Sequence, residues 1–205
     1  MTKSRISKNK QKKLIEHFVP GTTARCAAEL VGVNRKTAPY YFQRLRQIIA
    51  QQLEQEAWQD LDGEIEVDEA YFGGRRKGER GRGAAGKLPV FGLLKRAGGV
   101  YTQVIPDAWS HRLMPIIENK VVADSIVYSD NGRGYNVLEV SDFKHYRINH
   151  AKLFGDKRTH INGIENFWKQ AKRHMGKYNG VPKNSFVLYL KECECGFNNP
   201  GAQNQ

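Results

Sequence analysis

Residues 64 to 74 read Glu64-Ile65-Glu66-Val67-Asp68-Glu69-Ala70-Tyr71-Phe72-Gly73-Gly74, with acidic and apolar side chains alternating from Glu64 to Asp68. At the two-residue period of a strand, Ile65 and Val67 share one face while Glu64, Glu66 and Asp68 share the other. Like charges on one strand face repel, and burying an ionised carboxylate without a partner costs several kcal/mol, so either solvent or a metal ion must face these groups. A second acid, Asp130, closes the apolar run Ser125-Ile126-Val127-Tyr128-Ser129-Asp130, which reads as a fully buried strand. Ligands bind beyond the carboxyl ends of such strands in open α/β sheets, although Asp130-Asn131-Gly132 is equally an ordinary turn. A third, Glu165, lies at the edge of a helical apolar face made by Ile164, Phe167, Trp168, Ala171 and Met175. Its plainer role is an ion pair with Lys169, four residues on, worth about 0.2–0.5 kcal/mol of helix support.

The segments between these acids must bring them together. Val90 to Leu94 and Val100 to Ile105, separated by Ala97-Gly98-Gly99, form a hairpin that makes a three-stranded meander with the acidic strand. Ser110 to Val121 follows as a helix with Leu113, Ile116 and Ile117 on its apolar side, and Phe143 to Ile148 as a further strand. Asn184 to Cys195 is an amphipathic helix. Between the first strand and the hairpin, the run from Gly74 to Lys87 is rich in glycine and carries Arg75, Arg76, Lys77, Arg80 and Arg82. Dense positive charge on such a loop suits sequence-independent contact with phosphates, and is also what a solvated loop looks like.

With 205 residues and 40% hydrophobic content, the chain can bury one substantial core and a small accessory domain. Its 33 Lys and Arg against 21 Asp and Glu leave a net charge of +12, which points to a polyanionic partner, nucleic acid first, with a ribosome-like or membrane-surface protein as the alternative. No apolar run approaches the length of a membrane span, and the charges at the N-terminus have no hydrophobic region behind them, so a cytoplasmic protein without a membrane partner is expected. Three cysteines, Cys26, Cys193 and Cys195, suit a reducing compartment, and no ligands at finger-like spacing accompany them for zinc.

At the N-terminal end, Lys8 to Phe18 reads as a basic helix stopped by Pro20-Gly21. Thr22 to Val31, the turn at Gly32 and Asn34 as a cap resemble a helix-turn-helix, with Arg35, Lys36 and Thr37 at the start of the second helix, where base edges are read. Pro39 requires that helix to begin nearer Thr37 or to bend. The apolar spacing from Tyr41 through Leu45, Ile48, Ile49 and Leu53 predicts a long helix, followed by a polar linker.

Asp68, Asp130 and Glu165, in that order on strand, strand and helix, are set as the acids of a ribonuclease-H-like fold, and the chain resembles the ISXO-like DDE transposases of bacterial insertion sequences. The resemblance is carried by Val67-Asp68-Glu69-Ala70-Tyr71-Phe72-Gly73-Gly74, by Tyr128-Ser129-Asp130-Asn131-Gly132 with Tyr135, and by His160-Ile161-Asn162-Gly163-Ile164-Glu165-Asn166-Phe167-Trp168 with Lys172-Arg173. It implies an α/β, ribonuclease-H-like mixed sheet flanked by helices over residues 64–198, preceded by a small all-α helix-turn-helix domain over 1–53 and a linker at 54–63, with a tail at 199–205. It further implies that Asp68, Asp130 and Glu165 are catalytic and hold two Mg²⁺ or Mn²⁺ ions, cutting DNA at the element's ends and transferring the freed strand to target DNA. Lys169, Lys172 and Arg173 would bind phosphates beside the site, and His160 would either position the scissile phosphate or cap the helix. The implied partners are the terminal inverted repeats, the target DNA and further copies of the chain. Two rival readings keep the fold: a transposase-derived repressor indifferent to metal, and a metal-dependent nuclease that never joins ends. Unlike larger relatives, the chain has no Cys-x-x-Cys pair near its N-terminus, and Cys195-Gly196 stands where the family tends to show an aromatic residue and an arginine.

Overall fold

Ser7 and Thr23 open the first two helices of the computed structural model, which describes residues 6–56, 61–73, 86–130, 135, 143–148, 160–178 and 180–203. The Ser7 hydroxyl accepts from the Lys10 N–H to cap α1 (Lys8–Phe18), and the Thr23 hydroxyl accepts from the Cys26 N–H to cap α2 (Ala24–Val31). Gly32, at φ 65°, ends α2 in the left-handed conformation and donates its N–H to the carbonyls of Ala28 and Glu29. The Asn34 side chain then accepts from the Lys36 N–H and turns the chain into α3 (Thr37–Glu56). Pro39 falls in the first turn of α3, where an N–H has no partner within the helix, so the proline costs no hydrogen bond. Helix α3 runs on to Glu56, so residues 54 to 56, expected in the linker, are helical. Leu14, Phe18, Ala27, Ala28, Val31, Ala38 and Phe42 make the core of this bundle.

Later in the chain comes a five-stranded sheet built of β1 (Glu64–Phe72), β2 (Leu88–Lys95), β3 (Val100–Val104), β4 (Ile126–Asp130) and β5 (Lys144–Ile148), in the order β3-β2-β1-β4-β5. The first three strands form the expected antiparallel meander, and β4 and β5 run parallel to β1. Helix α4 (Ser110–Lys120) carries the chain from β3 to β4, and α5 (Asn162–Gly176) follows β5. Ile65 and Val67, from one face of β1, join Phe91, Leu93, Val127 and Tyr135 in a core closed by Leu113, Met114 and Ile117 of α4. Helix α5 covers the other face. Gly92 is paired with Asp68, and a Cβ built on it would meet Trp168 at 2.6 Å and Ile164 at 2.9 Å, so its missing side chain lets α5 lie on the sheet. This is a ribonuclease-H-like α/β sheet flanked by helices and preceded by a helix-turn-helix unit.

Compactness divides the chain into Met1–Glu54 with Arg173–Gln205, and Gln55–Lys172. The first grouping includes the end of α5 and all of α6 (Phe186–Asn198), and buried charged contacts tie these to the N-terminal helices within it. Arg46 of α3 is buried and donates to Glu192 of α6 at 2.5 Å, while its guanidinium lies 3.8 Å from the Tyr189 ring centre. The other Glu192 oxygen bonds His174 at 2.9 Å, and Lys177 donates to the Gly21 carbonyl at 2.5 Å.

Removing one partner of a buried ion pair strands the other, so Arg46→Ala is expected to cost about 3–5 kcal/mol in urea unfolding. Burial alone would push the Glu192 carboxyl up, but the His174 hydrogen bond and the Arg46 charge outweigh it and hold its pKa below the ordinary 4.5. A depressed folded-state pKa gives stability that is complete above about pH 4.5 and is lost as pH falls through the folded-state value. The urea midpoint of the parent protein should therefore fall more steeply below that pH than the midpoint of Glu192→Gln.

Candidate active site

Strands β1 and β4 are paired in parallel with Glu66 opposite Tyr128 and Val67 opposite Ser129. Asp68 and Asp130 each come one residue later, so they stand side by side where the ladder ends, about 4.8 Å apart along the hydrogen-bonding direction. Strand alternation turns both toward the face that α5 covers, and both are half-buried. Tyr135 lies close to both. Its hydroxyl is buried, donates to Glu69 at 2.7 Å, and is held well above the ordinary phenol pKa first by burial and then by the negative charges of Glu69, Asp68 and Asp130. Two carboxylates on adjacent strands thus share one neighbourhood, with a neutral hydrogen-bonded phenol beneath it.

Glu66, two residues before Asp68 on the same face, is 1% exposed. Neither solvent nor a metal need satisfy it, which corrects the choice posed by the alternating sequence. Its carboxylate accepts from the Ile164 backbone N–H at 2.9 Å and from Arg96 Nε at 3.0 Å. Helix α5 therefore begins on an anion, the arrangement its exposed N–H groups and dipole favour. Arg96 also bonds Glu64 at 2.8 Å and the His160 carbonyl at 2.5 Å, and lies 3.9 Å from the Tyr128 ring centre. These hydrogen bonds outweigh the effect of burial and raise the pKa of Arg96. Gly163 permits the contact, since a Cβ there would meet Glu66 Oε2 at 2.8 Å and Leu94 Cδ2 at 3.0 Å. The sequence reading missed Arg96. The signal was the hairpin turn, because counting back across the antiparallel pair puts Arg96 beside Glu64, where the two backbones are joined by a 2.9 Å hydrogen bond.

Glu165 follows Ile164 in the first turn of α5 and pairs with Lys169, its Oε2 3.7 Å from Nζ. The structure thus brings Asp68 and Asp130 together and sets Glu165 on the helix over their face. Among the described residues, no three His, Cys, Asp or Glu side chains are gathered as a ready set of metal ligands. Lys169, Lys172 and Arg173 are exposed on α5, and Lys172 Nζ lies 5.7 Å from the Phe72 ring centre. The His160 ring faces Glu66 with Nδ1 3.6 Å from the carboxylate, beyond hydrogen-bond length. Arg35 and Lys36 are exposed in the turn before α3, and Thr37 begins that helix. Arg75, Arg76, Lys77, Arg80 and Arg82 lie outside the described residues.

The sheet order and the flanking helices define a ribonuclease-H-like unit. Residues 60–198 match the ISXO2-like transposase domain, and the chain belongs to that family. It is 56% identical over 106 residues to an uncharacterized transposase-like protein of Haemophilus influenzae, covering 52% of this chain and 86% of that one. It is 29% identical over 150 residues to an uncharacterized protein in transposable element ISH50 of Halobacterium salinarum, covering 64% of this chain and 51% of that one. Among solved structures, the catalytic core domain of BIV integrase aligns with 64% of this chain and 81% of its own, at 14% identity and a TM-score of 0.41. The Mos1 mariner paired end complex with Mn aligns with 100% of this chain and 75% of its own, at 11% identity and a TM-score of 0.41. Among the described residues, no helix is long and apolar enough to cross a membrane.

Tyr135→Phe removes only the hydroxyl that holds Glu69. The expected loss is about 0.5–1.5 kcal/mol in urea unfolding.

Proposed function

We propose that this chain is the transposase of an insertion sequence, which binds the terminal inverted repeats, cuts a DNA strand at each end and joins the freed end to target DNA. The observation that supports it most is the pairing of Asp68 and Asp130 on one face of adjacent parallel strands, beneath the helix that bears Glu165. Carboxylate oxygens alone suit Mg²⁺ or Mn²⁺ better than zinc, so the donor set fits hard cations. Asp68, Asp130 and Glu165 would hold two such ions, which would supply activation of an oxygen nucleophile and charge stabilisation for phosphoryl displacement.

In this reading Asp68 and Asp130 present their oxygens from strands that cannot shift without breaking the sheet. Glu165 joins them by leaving Lys169, an exchange that gives up only about 0.2–0.5 kcal/mol. Lys169, released, meets DNA phosphates with Lys172 and Arg173. His160 orients the scissile phosphate from the start of α5. Arg35, Lys36 and Thr37 read the element's ends, and Arg75, Arg76, Lys77, Arg80 and Arg82 follow the phosphate backbone without regard to sequence. Two ends must be held at once, so the working form is an oligomer of this chain on DNA, in the cytoplasm.

Asp68→Ala, Asp130→Ala and Glu165→Ala should each lower Mg²⁺-dependent nicking and strand transfer on a duplex carrying the element's end by at least about 10²-fold, roughly 2.7 kcal/mol of barrier. Binding of the same duplex in EDTA should be retained. Nicking that persists in the aspartate variants would contradict the assignment. A parent protein that binds the ends but never cuts is a repressor, and one that cuts but never joins is a nuclease.

A further inference from the structure

Of the acids on β1, Glu66 is the most deeply buried, and its contacts run to the start of α5. We infer that Glu66 is a positioning residue, which sets the first turn of α5, and with it Glu165, over Asp68 and Asp130 without itself touching metal or DNA. The inference rests on the reading of those three acids as the metal site.

Four observations carry it. Both Glu66 oxygens are committed, Oε2 to the Ile164 N–H at 2.9 Å and Oε1 to Arg96 Nε at 3.0 Å. The bonded N–H belongs to the residue immediately before Glu165, so the anchor and the acid are one residue apart on the same helical turn. Arg96 extends the clamp to the His160 carbonyl at 2.5 Å, holding the chain just before α5 as well as its first turn. Gly163 leaves no room for slack, because any Cβ there would press on Glu66 Oε2 at 2.8 Å. The route from sheet to acid is therefore Arg96, Glu66, Ile164 N–H, Glu165. A helix start fixed by a buried ion pair keeps its direction where one held only by apolar contact can slide. Groups hydrogen-bonded directly to a metal ligand cost about 10–100-fold in metal affinity when removed, and Glu66, acting one residue away through the Ile164 N–H, is expected at the lower end.

The test measures Mn²⁺ binding apart from turnover. The full chain, without DNA, is melted across a Mn²⁺ titration, and its affinity for an end duplex is measured in EDTA. The parent should gain melting temperature with Mn²⁺, and Asp68→Ala should abolish that gain. Glu66→Ala should raise the Mn²⁺ concentration for half the gain by about tenfold or more while leaving duplex affinity in EDTA unchanged. Glu66→Gln keeps an acceptor for the Ile164 N–H and should recover most of the loss. Should Glu66→Ala fail to fold, Gly163→Ala displaces the same turn with the carboxylate still present, and the same rise is expected. A Mn²⁺ midpoint at the parent value in a folded Glu66→Ala or Gly163→Ala protein overturns the inference and leaves the metal site standing. If the parent shows no response to Mn²⁺, the metal site falls and the inference with it.

Discussion

A carboxylate shut away from water needs a cation or a set of donors, and Glu66 has both in Arg96 and the first turn of α5. Losing either partner would leave several kcal/mol of desolvation uncompensated, so the sheet and the helix are tied at this point more firmly than apolar packing alone would tie them. The three acids proposed for the site lie within a few residues of the tie. Asp68 is two residues along β1, Glu165 is one residue along α5, and Tyr128, which stacks under Arg96, is two residues before Asp130 on β4.

Two glycines make the same junction possible. Gly92 opens the sheet surface beside Asp68 to Trp168 and Ile164, and Gly163 lets the helix backbone reach Glu66. Both are contacts that a methyl group would break, so the helix approaches this face at one depth. On the reverse face, the buried Tyr135 holds Glu69 through its hydroxyl, close beneath the two aspartates. The strand-end carboxylates are thus backed by ordered polar contacts on both sides of the sheet. Within the helical unit, a second buried ion pair, Arg46 with Glu192, ties α3 to α6.

Much of this was legible in the sequence. The alternation from Glu64 to Asp68, the apolar run ending at Asp130 and the helical face around Glu165 correspond to β1, β4 and α5, because each is long enough for its period to dominate local propensity. Pro39 left α3 to begin near Thr37 or to bend, and it begins at Thr37, whereas Asn34 as a cap put Arg35 and Lys36 inside the helix and the structure has them in the turn before it. What could not be read locally was the partner of each charge. Glu66 looks like a member of a wet or metal-bound acidic face until the β1–β2 register brings Arg96 to it. Glu192 and Arg46 are 146 residues apart, and no periodicity links them. Gly92 has no side chain to pack within β2, and only the packing of Trp168 gives it a purpose.

A crystal of the full chain soaked in Mn²⁺ and measured at the manganese edge would address the site most directly. Anomalous peaks bounded by Asp68 and Asp130, with Glu165 turned away from Lys169 to meet them, are expected. Saturating Mn²⁺ with no peak between the two aspartates, or peaks only at unrelated surface acids, would leave the strand-end carboxylates without the role assigned to them.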